Sequence, residues 1–273
     1  MRIHAPKRSV YEIFPKLVVA TAVALLSHAA SAQSFSSGLP SGWTGSGSFG
    51  TSAANGVVSL APGGGSQYGF VSTEGGVTGV SPFGLSGDRT GSVLRSSIFS
   101  AQAGDALDFD FNFVTSDGAG FSDYGWARLL NTDFSQAALL FTARTTTSGN
   151  TVPGFGLPAT NATVSASPII GGAPVWSALG SSSNTCYSGG CGYTGWVSST
   201  FSIASSGNYI LEFGVVNWSD TAYQTGLAFD GITIAGTPIP AVPEPESLAM
   251  MLAGLGLVGA IARRRQNKVA NQG

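Results

Sequence analysis

Leu107-Asp108-Phe109-Asp110-Phe111-Asn112-Phe113 is the stretch that decides the fold. Apolar and polar residues alternate without a break. In an extended strand successive side chains point to opposite faces, so one face carries Leu and three Phe while the other carries oxygen-bearing side chains. The same period recurs in Val197, Ser199, Phe201 and Ile203 against Ser198, Thr200 and Ser202. It recurs again in Tyr209, Leu211, Phe213 and Val215 against Ile210, Glu212, Gly214 and Val216. Further strands are predicted near Val57–Leu60, Gln67–Ser72, Val93–Phe99, Tyr124–Leu130, Ala137–Ala143 and Gly226–Ile234. Turn signals such as Ser86-Gly87-Asp88, Ala103-Gly104-Asp105 and Ser206-Gly207-Asn208 separate them. Glycine contributes 39 residues, about twice its usual share, and disfavours long helices. The expected class is therefore all-β, an antiparallel β-sandwich with jelly-roll-like connectivity. Thr145 to Pro174 is a long Thr/Gly/Pro-rich connection of the kind that often binds or varies, with room for a weak strand around Ala162–Ala166.

The two ends read as targeting segments. Arg2, Lys7, Arg8 and Lys16 precede the apolar run Leu17 to Leu26, and Ala30-Ser31-Ala32 supplies small residues for a signal peptidase. Residues 1–32 are thus expected to be a signal peptide cut between Ala32 and Gln33. The run is too short for a retained anchor, which needs roughly 20 residues. At the other end, Val242-Pro243-Glu244-Pro245 precedes Glu246, an uncharged apolar run from Ser247 to Ala262, and Arg263-Arg264-Arg265 with Lys268. That run, about 16 residues, is expected to form a single transmembrane helix with its arginines on the cytoplasmic side.

The ordered triplet of Val-Pro-Glu-Pro (Val242 to Pro245), apolar helix and Arg263 to Arg265 resembles the PEP-CTERM sorting signal over residues 241–268. The resemblance implies recognition by an exosortase, a membrane-embedded cysteine transpeptidase, with cleavage near Pro-Glu-Pro. It also implies a Gram-negative host that makes an exopolysaccharide or biofilm matrix. The body resembles β-sandwich surface proteins carrying the same signal through Phe111-Asn112-Phe113-Val114-Thr115-Ser116-Asp117, Tyr124-Gly125-Trp126-Ala127 and Leu227-Ala228-Phe229-Asp230-Gly231-Ile232. That second likeness implies no activity.

Residues 33–240, roughly 200 in all, suit one all-β domain with a sizeable core. All lysines lie in the two ends. The body keeps four cations, Arg89, Arg95, Arg128 and Arg144, against eleven acids, which excludes a phosphate-binding surface and hence nucleic acid. Both histidines, His4 and His28, fall in the signal peptide, so the body holds no Ser–His–Asp triad, no Cys–His pair and no His-ligated metal. Cys186 and Cys191 are the only cysteines, and in an exported chain they are expected to form a disulfide. Gly45-Ser46-Gly47-Ser48-Phe49-Gly50 matches G-x-G-x-x-G but has no strand–helix context, so no dinucleotide is expected.

Three groups of residues are candidate sites. Asp108, Asp110 and Asp230 offer oxygen donors, and calcium is the one cofactor they leave open, although Phe113 stands where a calcium-loop glycine belongs. Tyr187, Tyr193 and Trp196, near the disulfide, are candidates for stacking on sugar rings, while Trp43, Trp126, Trp176 and Trp218 are expected mostly in the core. Asp117, Asp123 and Glu212 are the carboxylates a glycosidase would pair. The leading expectation is a non-enzymatic, exported surface or matrix protein, with signal peptidase, exosortase and the membrane as partners and exopolysaccharide as a further one. A carbohydrate-binding module and a secreted hydrolase are the alternatives.

Overall fold

The computed structural model describes residues 35–239, 250–259 and Arg263. The strands in chain order are β1 (Thr44–Ser46), β2 (Ser48–Ser52), β3 (Tyr68–Ser72), β4 (Val77–Thr78), β5 (Asp88–Arg95) and β6 (Phe99–Ala101). Then follow β7 (Ala106–Thr115), β8 (Tyr124–Asn131), β9 (Gln136–Arg144), β10 (Thr163–Val164) and β11 (Ile170–Gly171). The last are β12 (Gly192–Tyr193), β13 (Val197–Ser202), β14 (Gly207–Trp218), β15 (Thr225–Ile234) and β16 (Thr237–Pro238).

Two antiparallel sheets result. The first runs β1-β5-β14-β8-β9, and the second runs β10-β13-β7-β15-β3-β2. Among the principal strands β3 pairs with β15, β5 with β14, β7 with β13 and β8 with β9. Such nesting of first with last, down to the innermost hairpin, is the jelly-roll connectivity. The alternation expected for β7, β13 and β14 is present. Phe109, Phe111, Phe213 and Phe229 lie buried between the sheets. Phe111 stacks on Phe141 at 3.7 Å, and Phe213 on Phe229 at 3.9 Å. Each fully buried Phe contributes about 1.5–3 kcal/mol.

Beyond the core between the sheets, both outer faces are covered as well. On the first sheet Val80, Phe83, Leu85, Leu157 and Trp218 pack over Tyr124, Trp126 and Val216. On the second, Trp176, Leu179 and Val58 pack over Tyr68, Val114 and Ala228. Val57–Leu60, expected as a strand, makes only an isolated bridge between Asn55 and Val58, since Val58 is drawn into the cluster around Trp176. Val93–Phe99 breaks into β5 and β6 at Ser96–Ile98. The long connection after β9 holds β10, which pairs with β13, and β11, which pairs with β12.

At the C-terminal end a helix covers 250–259. Ten residues rise about 15 Å, half of a bilayer core, and among the described residues no helix is long and apolar enough to cross a membrane. The expected transmembrane helix is therefore not seen among the described residues, which hold only this short apolar helix with Met250, Leu252, Leu255 and Leu257 exposed. Ala30, Ala32 and Gln33 at the signal cleavage, Val242 to Pro245, and Arg264 and Arg265 lie outside the described residues.

Candidate functional site

At one end of the sandwich three loops meet. The β7–β8 loop carries Asp117, Phe121 and Asp123, the disulfide loop carries Tyr187, and the β14–β15 loop carries Asp220 and Tyr223. The Cys186–Cys191 disulfide is present, with Cα atoms 5.7 Å apart. It closes a tight Gly-rich loop that docks by backbone hydrogen bonds. Tyr187 N donates to Ser116 O at 3.0 Å, and Ala119 N to Gly189 O at 2.9 Å. Gly118 permits the approach, because a Cβ there would lie 2.6 Å from Ser188 Cβ.

Docking of that loop assembles an aromatic cluster. Tyr187 meets Phe121 edge-on at 5.2 Å and Tyr223 at 5.2 Å. Tyr187 and Tyr223 remain exposed, at 47% and 36%. Tyr223 sits at φ 53, a left-handed conformation that costs a bulky residue about 1–3 kcal/mol and that collects at functional sites. Sequence reading found Tyr187 and missed Phe121 and Tyr223, which stand 66 and 36 residues away along the chain. The topology alone joins them. It also grouped Tyr187 with Tyr193 and Trp196, and the structure separates them. Tyr193 and Trp196 pack against the cluster on the outer face of the second sheet, with Trp196 edge-on to Tyr68 and its Nε1 donating to Ser59 O at 3.1 Å.

Under the aromatic loops lie two buried carboxylates. Asp123 Oδ1 accepts from Trp218 N at 2.7 Å, and Oδ2 accepts from Thr225 Oγ1 at 2.8 Å. It staples the start of β8 to the end of β14 and the start of β15. Asp117 Oδ1 accepts from Gly118 N at 2.7 Å, while its Oδ2 has no partner. Burial pushes the Asp117 carboxyl up to about 7, with the charge of Asp220 adding to the effect. Burial likewise holds Asp123 well above the usual carboxylate range, with Asp117 adding.

Glu212, read as a possible partner for these acids, lies elsewhere. It is fully buried on the outer face of the first sheet, in register with Arg95 on β5 and Arg128 on β8. Arg95 binds Oε2 at 2.7 Å, Arg128 binds Oε1 at 2.6 Å, and Trp126 Nε1 donates to Oε1 at 3.0 Å. Both oxygens are taken by structural partners, so Glu212 is not an acid or base paired with Asp117 and Asp123.

The calcium candidates also divide. Asp108 accepts from Thr200 Oγ1 at 2.7 Å on the outer face of the second sheet. Asp110 accepts from Ser198 Oγ and stands directly opposite Asp230 in the β7–β15 ladder. Asp110 and Asp230 line one cavity, without Asp108.

No curated protein matches the chain. Among solved structures the K1 cleaved adhesin domain of Lys-gingipain from Porphyromonas gingivalis W83 is similar over 74% of this chain and 95% of that one, at 12% identity and a TM-score of 0.37. The K3 cleaved adhesin domain of the same protein is similar over 74% and 95%, at 13% identity and a TM-score of 0.35. A carbohydrate-binding module of the β-sandwich superfamily is similar over 75% of this chain and 61% of its own, at 11% identity and a TM-score of 0.33. The model of the PEP-CTERM protein-sorting motif matches residues 241–266, so the chain ends in the signal that Val242 to Pro245, the apolar run and the arginines spell, one that implies export and sorting at the membrane of Gram-negative bacteria.

Proposed function

We propose that this chain is an exosortase substrate whose β-sandwich serves outside the cell as a non-enzymatic surface or matrix component. The observation that carries this reading is the sorting motif at residues 241–266. The body fits that setting. It lacks histidine, carries a disulfide and has Glu212 committed to two arginines. Exosortase would act on the Pro243-Glu244-Pro245 segment while the apolar run holds the chain at the membrane. Replacing Pro243, Glu244 and Pro245 by Ala in the host tests it. The expected result is an unprocessed chain retained in the inner-membrane fraction, and normal release of a shortened product would contradict it.

A second reading, binding of extracellular carbohydrate, is favoured by the aromatic cluster. Two exposed tyrosines and Phe121, held by a disulfide loop and a strained turn, offer flat apolar faces of the kind that sugar rings cover. Titration of the mature protein with the host's exopolysaccharide tests this. Tyr187→Ala is expected to weaken binding about tenfold, equivalent to about 1.4 kcal/mol, and equal binding by this variant would remove the cluster from the account.

A further inference from the structure

An open cavity of about 340 Å³ lies between the glycine-rich loop Gly63-Gly64-Gly65 and the irregular end of β15. Its only charged lining groups are two carboxylates, Asp110 and Asp230. They occupy directly paired positions on adjacent strands, where side chains stand about 4.5–5.5 Å apart at Cβ and like charges destabilise the sheet. Asp230 is buried, at 1% exposure. The backbone amides of Gly65 and Gly231 lie beside its carboxylate, and Oδ2 has no hydrogen-bond partner. A buried carboxylate oxygen without a partner is costly and rare in a folded protein.

The backbone is shaped around that oxygen. A Cβ on Gly64 would fall 2.4 Å from Asp230 Oδ2, so only glycine lets the loop approach. The ladder between β15 and β7 shifts register between Asp230 and Thr233, and Gly231 sits at φ +68. Bulges of this kind leave carbonyls outside the ladder and re-aim side chains. Asp110 gives one oxygen to Ser198, leaving the other free toward Gly231, whose Cβ would lie 3.3 Å from Asp110 Oδ2.

We propose that this cavity is a binding site for a calcium-class divalent cation, held by Asp110 and Asp230 with backbone carbonyls and water. Hard oxygen donors, an adaptable glycine-rich backbone and an open mouth suit calcium, which takes six to eight oxygens in flexible geometry. They suit magnesium poorly, since it demands a near-ideal octahedron. Among the described residues no three His, Cys, Asp or Glu side chains gather at one point. A site with two carboxylates belongs with the weak extracellular class, with Kd on the order of 0.1–1 mM. The cation would neutralise the Asp110–Asp230 repulsion and tie the 63–65 loop to the sheet.

The test uses the mature protein, stripped with a chelator and titrated with calcium chloride or magnesium chloride by calorimetry and thermal unfolding. One calcium per chain is expected, with a rise of several degrees in the unfolding midpoint and little response to magnesium. Asp110→Asn, at a half-buried position that tolerates an amide, is expected to weaken binding at least tenfold. Gly64→Ala is expected to weaken it by crowding Asp230 Oδ2, and Asp108→Asn, outside the cavity, to leave it unchanged. Absence of calcium binding by the folded wild type, or undiminished binding in Asp110→Asn, would overturn the assignment.

Discussion

Glu212 shows how a single acidic residue is committed to structure. Arg95, Glu212 and Arg128 stand in one row across β5, β14 and β8, and Trp126 closes the row from above. Removing one member of a buried ion pair leaves the others desolvated and unpaired, a loss of about 3–5 kcal/mol. Glu212→Ala is expected to fall at the lower end, about 3 kcal/mol, because Arg95 keeps 31% of its side chain in water. Chemical denaturation of the two proteins measures the difference. Asp117 and Asp123 make a prediction of opposite character. Burial raises both above the unfolded-chain value of roughly 3.9, Asp117 to about 7 and Asp123 well above the usual range. The folded state therefore holds these protons more tightly than the unfolded one. Their contribution is fully present below about pH 4 and is lost as pH rises toward 7 and beyond. In chelator-containing buffer the unfolding midpoint is expected to climb as pH falls from 8 to 5, and Asp117→Asn to flatten that slope. A midpoint that falls over this range would contradict the pairing of burial with charge.

At the scale of elements, the strands legible in the sequence are those with one dry and one wet face. β7 and β13 announced themselves because Asp108, Asp110, Ser198 and Thr200 do face outward. β14 kept its inward row of Tyr209, Leu211, Phe213 and Val215 although loops from elsewhere cover its outer face, whereas β9, covered in the same way, reads as an almost continuous apolar run. Val57–Leu60 misled for the same reason. Its apolar residues serve a cap over Trp176 and not a sheet, and a short apolar run does not distinguish the two. The capped faces also explain Gly214, which lies on β14 beneath Trp126. A Cβ there would meet Trp126 Cζ2 at 2.2 Å. Gly214→Ala is expected to destabilise by about 1–3 kcal/mol through overpacking, against near-neutral replacement of exposed Gly120, and differential scanning calorimetry separates them. The disulfide loop acts on a smaller scale. Closing a loop this short restricts the unfolded chain by about 2 kcal/mol. The double variant Cys186→Ser/Cys191→Ser is expected to lose that amount and to release Tyr187 from Phe121 and Tyr223, seen as a loss of near-ultraviolet dichroism from the tyrosines.

For the whole molecule, the sequence declared the fold class and the sorting motif, and it left the sites half assembled. The tail was legible because its order of motif, apolar run and arginines is local and needs no folding to read. The jelly roll followed from alternation and turns. The aromatic cluster was not legible, since Phe121, Tyr187 and Tyr223 come together only when three loops meet at one end of the sandwich. The cavity at Asp110 and Asp230 was half legible. The acids were singled out, but Gly63 to Gly65 reach them only through the position of the β2–β3 connection. The account as a whole rests on the chain being exported and trimmed at both ends, and the intact mass of the protein recovered from its host tests that most directly. The account predicts a species that begins at Gln33, lacks the hydrogens of two thiols and stops near Pro243-Glu244-Pro245. A mass that retains Arg263 to Arg265 would contradict it.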